Sequence, residues 1–153
     1  MTEMDATDRQ LVFLLQQDSR LPNAQLAEKL NISASACWRR VKALEQAGVI
    51  KRYAAVVDPK AMGLGFEAMV HVHLTRHDAS ALASFIRAIQ SRTEVTECFA
   101  TTGQADYHLR VLCRDIDAYN AFLESFLFLH PAVNSATTNV ILRQIKSDAP
   151  ITG

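Results

Sequence analysis

Three residues, Asn31-Ile32-Ser33, separate two short stretches whose apolar residues recur at helical spacing. No other feature of the 153-residue chain restricts its fold so tightly. A link this short joins two helices at a steep angle, as in a helix-turn-helix. Residues 23–30 place Leu26, Ala27 and Leu30 on one face. Ser33 is a natural N-cap for the next helix, and Ile32 is positioned to staple against Cys37. That helix buries Cys37, Val41 and Leu44, spaced 4 and 3, and stops at Gly48. Upstream, residues 5–17 carry Leu11, Leu14 and Leu15 on one face behind Asp5 as N-cap, and Pro22 opens the second helix. Downstream, "VIKRYAAVV" reads as a strand that Pro59 ends.

The outward side of the helix after Ser33 shows Ser35, Ala36, Trp38, Arg39, Arg40 and Lys42. The formal net charge is zero, which excludes a uniformly basic coat, but the charge is unevenly placed. Between Ser33 and Arg52 five basic residues (Arg39, Arg40, Lys42, Lys51, Arg52) accompany one acid, Glu45. In a helix-turn-helix the second helix lies in the DNA major groove with its N-terminal residues at base edges. Small Ser and Ala side chains permit close approach there, and arginines reach phosphates or pair with guanine. The plainer alternative is a solvated helix face. The three-residue turn and the "IKRY" segment favour duplex DNA as the partner. Ser33, Ser35, Ala36, Trp38, Arg39, Arg40, Lys42, Lys51 and Arg52 are the candidate contacts.

"DPKAMGLGF" reads as a linker. After it the rhythm changes to strand, helix, strand, strand, helix, strand, the ferredoxin-like βαββαβ order. "EAMVHVHLT", "EVTECFATTG", "DYHLRVLC" and "TTNVILRQIK" are the strands, and Asp78 and Asp115 start the two helices. The predicted fold is α+β: a winged helix-turn-helix over residues 1–58, a hinge at 59–65, and an antiparallel ferredoxin-like domain over 66–153. Both crossover helices cover one sheet face. Strand parity turns Val70, Val72 and Leu74 with Tyr107, Leu109 and Val111 toward them. Met69, His71 and His73 with His108, Arg110 and Leu112 then lie on the open face, which predicts a homodimer pairing sheet to sheet.

Apolar residues make up 49% of the chain, enough for a packed core. No apolar run approaches the ~20 residues of a membrane span, and the acidic start is unlike a signal peptide. Three scattered cysteines give neither a disulfide framework nor zinc-site spacing, which suits a cytoplasmic protein. His71-x-His73, with His77 nearby, is read as interface polarity rather than metal ligation, since no further ligand has matching spacing. No catalytic pair, phosphate loop, metal site or cofactor motif is found. "TTGQADY" combines a glycine turn with exposed N–H groups, threonine hydroxyls and a carboxylate. Such a set holds both ends of a free amino acid, and it also describes an ordinary hairpin turn.

The stretch "SASACWRRVKALEQAGVIKRYAAVVDP" resembles the signature region of the Lrp/AsnC family, the bacterial and archaeal feast/famine regulators. That pattern runs Ser-Pro-x-Pro-Cys, a basic stretch, then Leu-Glu-x-x-Gly-x-Ile and a strand. Cys37, Arg40, Leu44, Glu45, Gly48 and Ile50 fall in place, while Ala34 and Ala36 stand where prolines are usual. "TTGQADYHLRV" is similar to the family's Thr-Gly-x-x-Asp-Tyr stretch, and "VILRQIK" matches its close. The resemblance covers essentially the whole chain. It implies a transcriptional regulator whose dimers assemble further, often to octamers. It also implies a small effector, commonly an amino acid, bound near Thr101, Thr102, Gly103, Gln104 and Asp106. A DNA-organising protein without effector and a small dimeric ferredoxin-like enzyme are the alternatives.

Overall fold

A computed structural model describes residues 4–75 and 79–152. The expected cap Asp78 and the neighbouring His77 lie outside the described residues. The chain forms two units, residues 4–56 with 145–152, and residues 57–144.

The first unit is built on three helices. α1 (Ala6–Gln17) is closed by a reciprocal box in which Asp8 N donates to Asp5 Oδ1 at 2.8 Å and Asp5 N donates to Asp8 Oδ2 at 3.3 Å. α2 (Asn23–Leu30) ends where Asn31 adopts the left-handed conformation, φ 54°. α3 (Ala34–Gln46) begins at Ser33, whose Oγ accepts from Ala36 N. Gly48 at φ +72° ends it as expected, since a side chain there would be strained. Leu11, Leu26, Ala27, Cys37 and Leu44 are buried together, with Ile32 and Val41 packed against them. Each large buried apolar side chain contributes about 1.5–3 kcal/mol. Asn23 braces the turn: its Nδ2 donates to Ala34 O at 2.7 Å.

The strand expected at residues 49–57 does not form. Residues 51–58 are neither helix nor strand, and Lys51 to Asp58 are exposed. A strand needs a neighbour to take its backbone groups, and among the described residues this segment has none. The C-terminal tail, residues 145–152, joins the first unit. Ile151 N donates to Gln16 Oε1 at 2.8 Å and Gln16 Nε2 donates back to Ile151 O at 3.1 Å, which fastens the tail to α1.

The second unit is one antiparallel sheet with strand order β2-β3-β1-β4. Its strands are β1 (Phe66–Leu74), β2 (Val95–Ala100), β3 (Tyr107–Cys113) and β4 (Val133–Val140). α4 (Ala79–Gln90) links β1 to β2, and α5 (Ile116–Phe122) links β3 to β4 through a π-helical turn, Leu123–Leu127. Parity is as expected. Ala68, Val70, Val72, Leu109 and Val111 are fully buried against Phe85, Ile89, Tyr119 and Phe122. Residues 58–64 wind into a turn closed by Leu64 N on Pro59 O, so the expected hinge at 59–65 lies within this unit. The last strand starts and stops earlier than "TTNVILRQIK" predicts. β4 pairs with β1, and after Ile141 N donates to Glu67 O that neighbour runs out. Leu142 is consequently 93% exposed.

Candidate nucleic-acid interface and effector loop

α3 presents two kinds of basic residue. Arg39 is exposed and has no acidic partner among the described residues. Beside it stand Trp38, 56% exposed, and Ser35 with its Oγ 3.2 Å from Ser33 Oγ. Ala36 is half-buried. Arg40 is turned back instead. Its Nη1 donates to Asp8 Oδ1 at 2.7 Å and to Asp5 Oδ2 at 2.8 Å, binding the start of α1 to α3. The Asp8 backbone N–H, then the Arg40 guanidinium, hold the Asp5 carboxyl below its usual range. Lys42 is likewise engaged, its Nζ 2.7 Å from Glu45 Oε2. The other Glu45 oxygen accepts from Tyr53 OH at 3.0 Å. These two bonds, Lys42 first, lower the Glu45 pKa. Glu45 thus ties the segment carrying Lys51 and Arg52 to α3. Both of those side chains remain exposed. Burial pushes the Cys37 thiol up, which suits a core residue.

Asp5, Asp8, Glu45, Tyr53 and Asn23 do not stand out as site residues in the sequence. Asp8 three residues after Asp5 is the one local signal, an acidic capping box.

The β2–β3 loop holds Thr101, Thr102, Gly103, Gln104 and Asp106. Residues 101–104 are exposed, and Gly103 adopts φ +131°. Thr101 Oγ1 donates to Ala105 O at 3.1 Å, and Thr101 N to Asp106 O at 3.0 Å. Asp106 is drawn into the sheet. Its N–H donates to Val72 O, and its Oδ2 accepts from Leu74 N at 2.8 Å beside the irregularity in β1 at His73/Leu74. One carboxylate oxygen therefore caps a strand end. The other, Oδ1, has no partner among the described residues.

On the open face Arg110 donates to Glu67 Oε1 at 2.6 Å, with Glu97 Oε2 3.8 Å away. His71 Nδ1 lies 2.7 Å from His108 Nδ1. Among the described residues no three His, Cys, Asp or Glu side chains converge as a metal site would require, and no helix is long and apolar enough to cross a membrane.

Two family models match. Winged helix-turn-helix DNA-binding covers residues 4–51, and the Lrp/AsnC ligand binding domain covers residues 67–151. The chain is 32% identical to the transcriptional regulator AzlB of Bacillus subtilis over 139 residues, covering 91% of this chain and 88% of that one. It is 31% identical over 144 residues to the leucine-responsive regulatory protein of Escherichia coli, covering 94% and 88%. A transcriptional regulator from Neisseria meningitidis, solved as its L-Met complex, superposes with a TM-score of 0.93 at 34% identity, covering 97% of this chain and 96% of that one. Escherichia coli AsnC superposes with a TM-score of 0.87 at 28% identity, covering 95% and 96%. The helix-turn-helix, the four-stranded sheet and both family models agree: the chain belongs to the Lrp/AsnC family, as a transcriptional regulator that joins a DNA-binding winged helix-turn-helix to a ligand-binding domain.

Proposed function

We propose that the chain binds pseudo-palindromic duplex DNA as a homodimer, and that a free amino acid at the 101–106 loop shifts its assembly or its DNA affinity. The observation that carries the DNA half is the sorting of charges on α3. Arg40 and Lys42 are held by acids, whereas Arg39 is exposed beside Trp38 and Ser35 with no acidic partner among the described residues. Arg39, Ser35 and Trp38 then approach base edges, with Ser33 and Ala36 lining the helix start. Lys51 and Arg52 take phosphates, and Arg40 and Lys42 position the helix.

For the effector, Thr102 and Gly103 offer backbone N–H groups to a carboxylate, and Asp106 Oδ1 is the acceptor for an ammonium. The relative solved with L-Met supports an amino acid. The open sheet face, with Met69, Leu112 and a half-exposed Phe99, supports sheet-to-sheet dimers that assemble further, up to octamers. Such a regulator works in the cytoplasm, on chromosomal DNA. Calorimetric titration with the twenty amino acids tests the effector half: saturable binding of one or a few supports it, and silence from all overturns it. Arg39→Ala tests the DNA half by fluorescence anisotropy, with wild-type affinity as the overturning result.

A further inference from the structure

The open sheet face carries a hydrogen-bonded chain that neither DNA contact nor the effector loop uses. His71 on β1 and His108 on β3 are direct cross-strand partners. Their Nδ1 atoms lie 2.7 Å apart, and the rings meet edge to face with centroids separated by 4.7 Å. On the other side, His71 Nε2 is 2.9 Å from the Asn139 side-chain amide on β4.

An Nδ1–Nδ1 contact of that length holds a single proton, because one ring donates and the other accepts. The neutral pair satisfies this, with Asn139 donating to His71 Nε2 and His71 Nδ1–H donating to His108. With the Asn139 amide turned over, a singly charged pair also satisfies it. A doubly charged pair does not, since two N–H groups would then point at each other. Acid therefore first places charge on this face and then breaks the chain.

Among the described residues no neighbouring group is placed to neutralise that charge. From β1, Glu67 and His73 share the face; from β3, Arg110; from β2, Glu97. Both carboxylates are turned to Arg110. From β4 the register sets only Ser135, Thr137 and Asn139 opposite. His73 has a buried Nδ1 without a hydrogen-bond partner among the described residues, and it offers no negative charge. Burial, then the charges of His108 and His73, hold the His71 pKa below its ordinary value.

We propose that the Asn139–His71–His108 chain makes self-association through the open sheet face proton-sensitive, with copies pairing above the ordinary histidine range and separating below it. This rests on the reading that a second copy covers that face. Covering it removes water from both histidine pairs. A neutral pair tolerates that, whereas a charged pair without a counter-ion does not.

The test is sedimentation equilibrium of the full chain at constant ionic strength, from about pH 8 down to about pH 5.5, with His71→Gln/His108→Gln in parallel. Each excluded proton weakens association by up to about tenfold per pH unit below ~6.5, and a dimer holds two such chains. The wild-type dissociation constant is expected to rise at least about tenfold over the range, and the double variant to lose that slope. An association equally tight at both ends overturns the proposal and leaves sheet pairing intact. A slope that persists in the double variant also overturns it. A monomer at the alkaline end overturns sheet pairing, and this proposal with it. Should the double variant not associate at all, the imidazole resonances of the wild type decide. His71 and His108 must take up protons over the interval in which the copies separate, and separation with both rings still neutral overturns the proposal.

Discussion

Arg40 Nη1 sits 2.7 Å from Asp8 Oδ1 and 2.8 Å from Asp5 Oδ2, so one guanidinium nitrogen grips both carboxylates of the box that caps α1. The adjacent Arg39 has no such partner among the described residues. Two neighbouring arginines on one helix are therefore held differently, Arg40 clamped by two acids and Arg39 exposed. Arg39→Ala is expected to cost about 1–3 kcal/mol of operator affinity if the lost contact is bidentate to guanine, with thermal melting unchanged. Where the contact is to phosphate, the loss falls equally on all sequences and the salt slope drops by about one. Arg40→Ala is expected to lower the melting temperature and leave the salt slope as it was. Circular-dichroism melts and anisotropy titrations on the two variants check this, and the reverse pattern would make Arg40 the DNA ligand.

Acid should loosen the same clamp. The Asp5 carboxyl is held below the ordinary carboxylate range, first by the Asp8 N–H and then by Arg40. Asp115, the N-cap of α5, is lowered by the Ala118 N–H and then by Arg114. A depressed carboxyl stabilises the fold above its unfolded pKa and loses that contribution as pH falls through the folded value. Melting temperature should thus be level above about pH 5 and decline below about pH 4, for these groups alone. Asp5→Asn and Asp115→Asn each retain a capping oxygen without the titrating charge, so each should flatten the decline. An undiminished decline in both variants would place the acid sensitivity elsewhere.

What sequence reasoning reaches here follows from how local each cause is. Ser33, Asp5 and Gly48 act within one helical turn of themselves, so helix ends are legible. The alternation in β1 and β3 is a property of each strand alone, so the open face is legible too. Arg40 finds its acids across α1, 32 and 35 residues upstream, and Asp106 caps Leu74 32 residues away. Neither spacing has a periodicity to read. The strand expected at 49–57 and the one carried to Lys146 fail for another reason. Their residues are strand-like, but a strand exists only where a neighbour takes its backbone bonds, and β1 has ended by Ile141.

The open face predicts its own disruption. Leu112 lies opposite Glu67 in the β1–β3 register, on the side away from the helices. Leu112→Asp would place a carboxylate in a surface that must dry when a second copy arrives. The dissociation constant should rise at least about tenfold, ~1.4 kcal/mol, with the monomer still folded. Sedimentation of the wild type as a folded 17.0 kDa species at micromolar concentration would count against sheet pairing altogether.

The loop at Gly103 separates two roles for one carboxylate. Asp106 Oδ2 already accepts from Leu74 N, so Asp106→Ala strands that N–H and should cost about 1–3 kcal/mol of stability. For a domain of this size that corresponds to a melting temperature lower by roughly 4–8 °C per kcal/mol. Asp106→Asn keeps an acceptor for Leu74 while removing the charge an ammonium needs. If Asp106 serves the effector, the Asn variant should melt near the wild type yet lose amino-acid binding in calorimetry. If it serves only the strand end, the Asn variant should bind as the wild type does, and the Ala variant should show unchanged effector affinity with a clearly lower melting temperature. Gly103→Val adds an independent arm. Its φ of +131° suits glycine and strains valine, although open space surrounds the position of the added Cβ. The valine variant should therefore deform the loop, lose the response to the amino acid and still bind operator DNA as a dimer. Full effector response in both Asp106→Asn and Gly103→Val would remove this loop from the effector site.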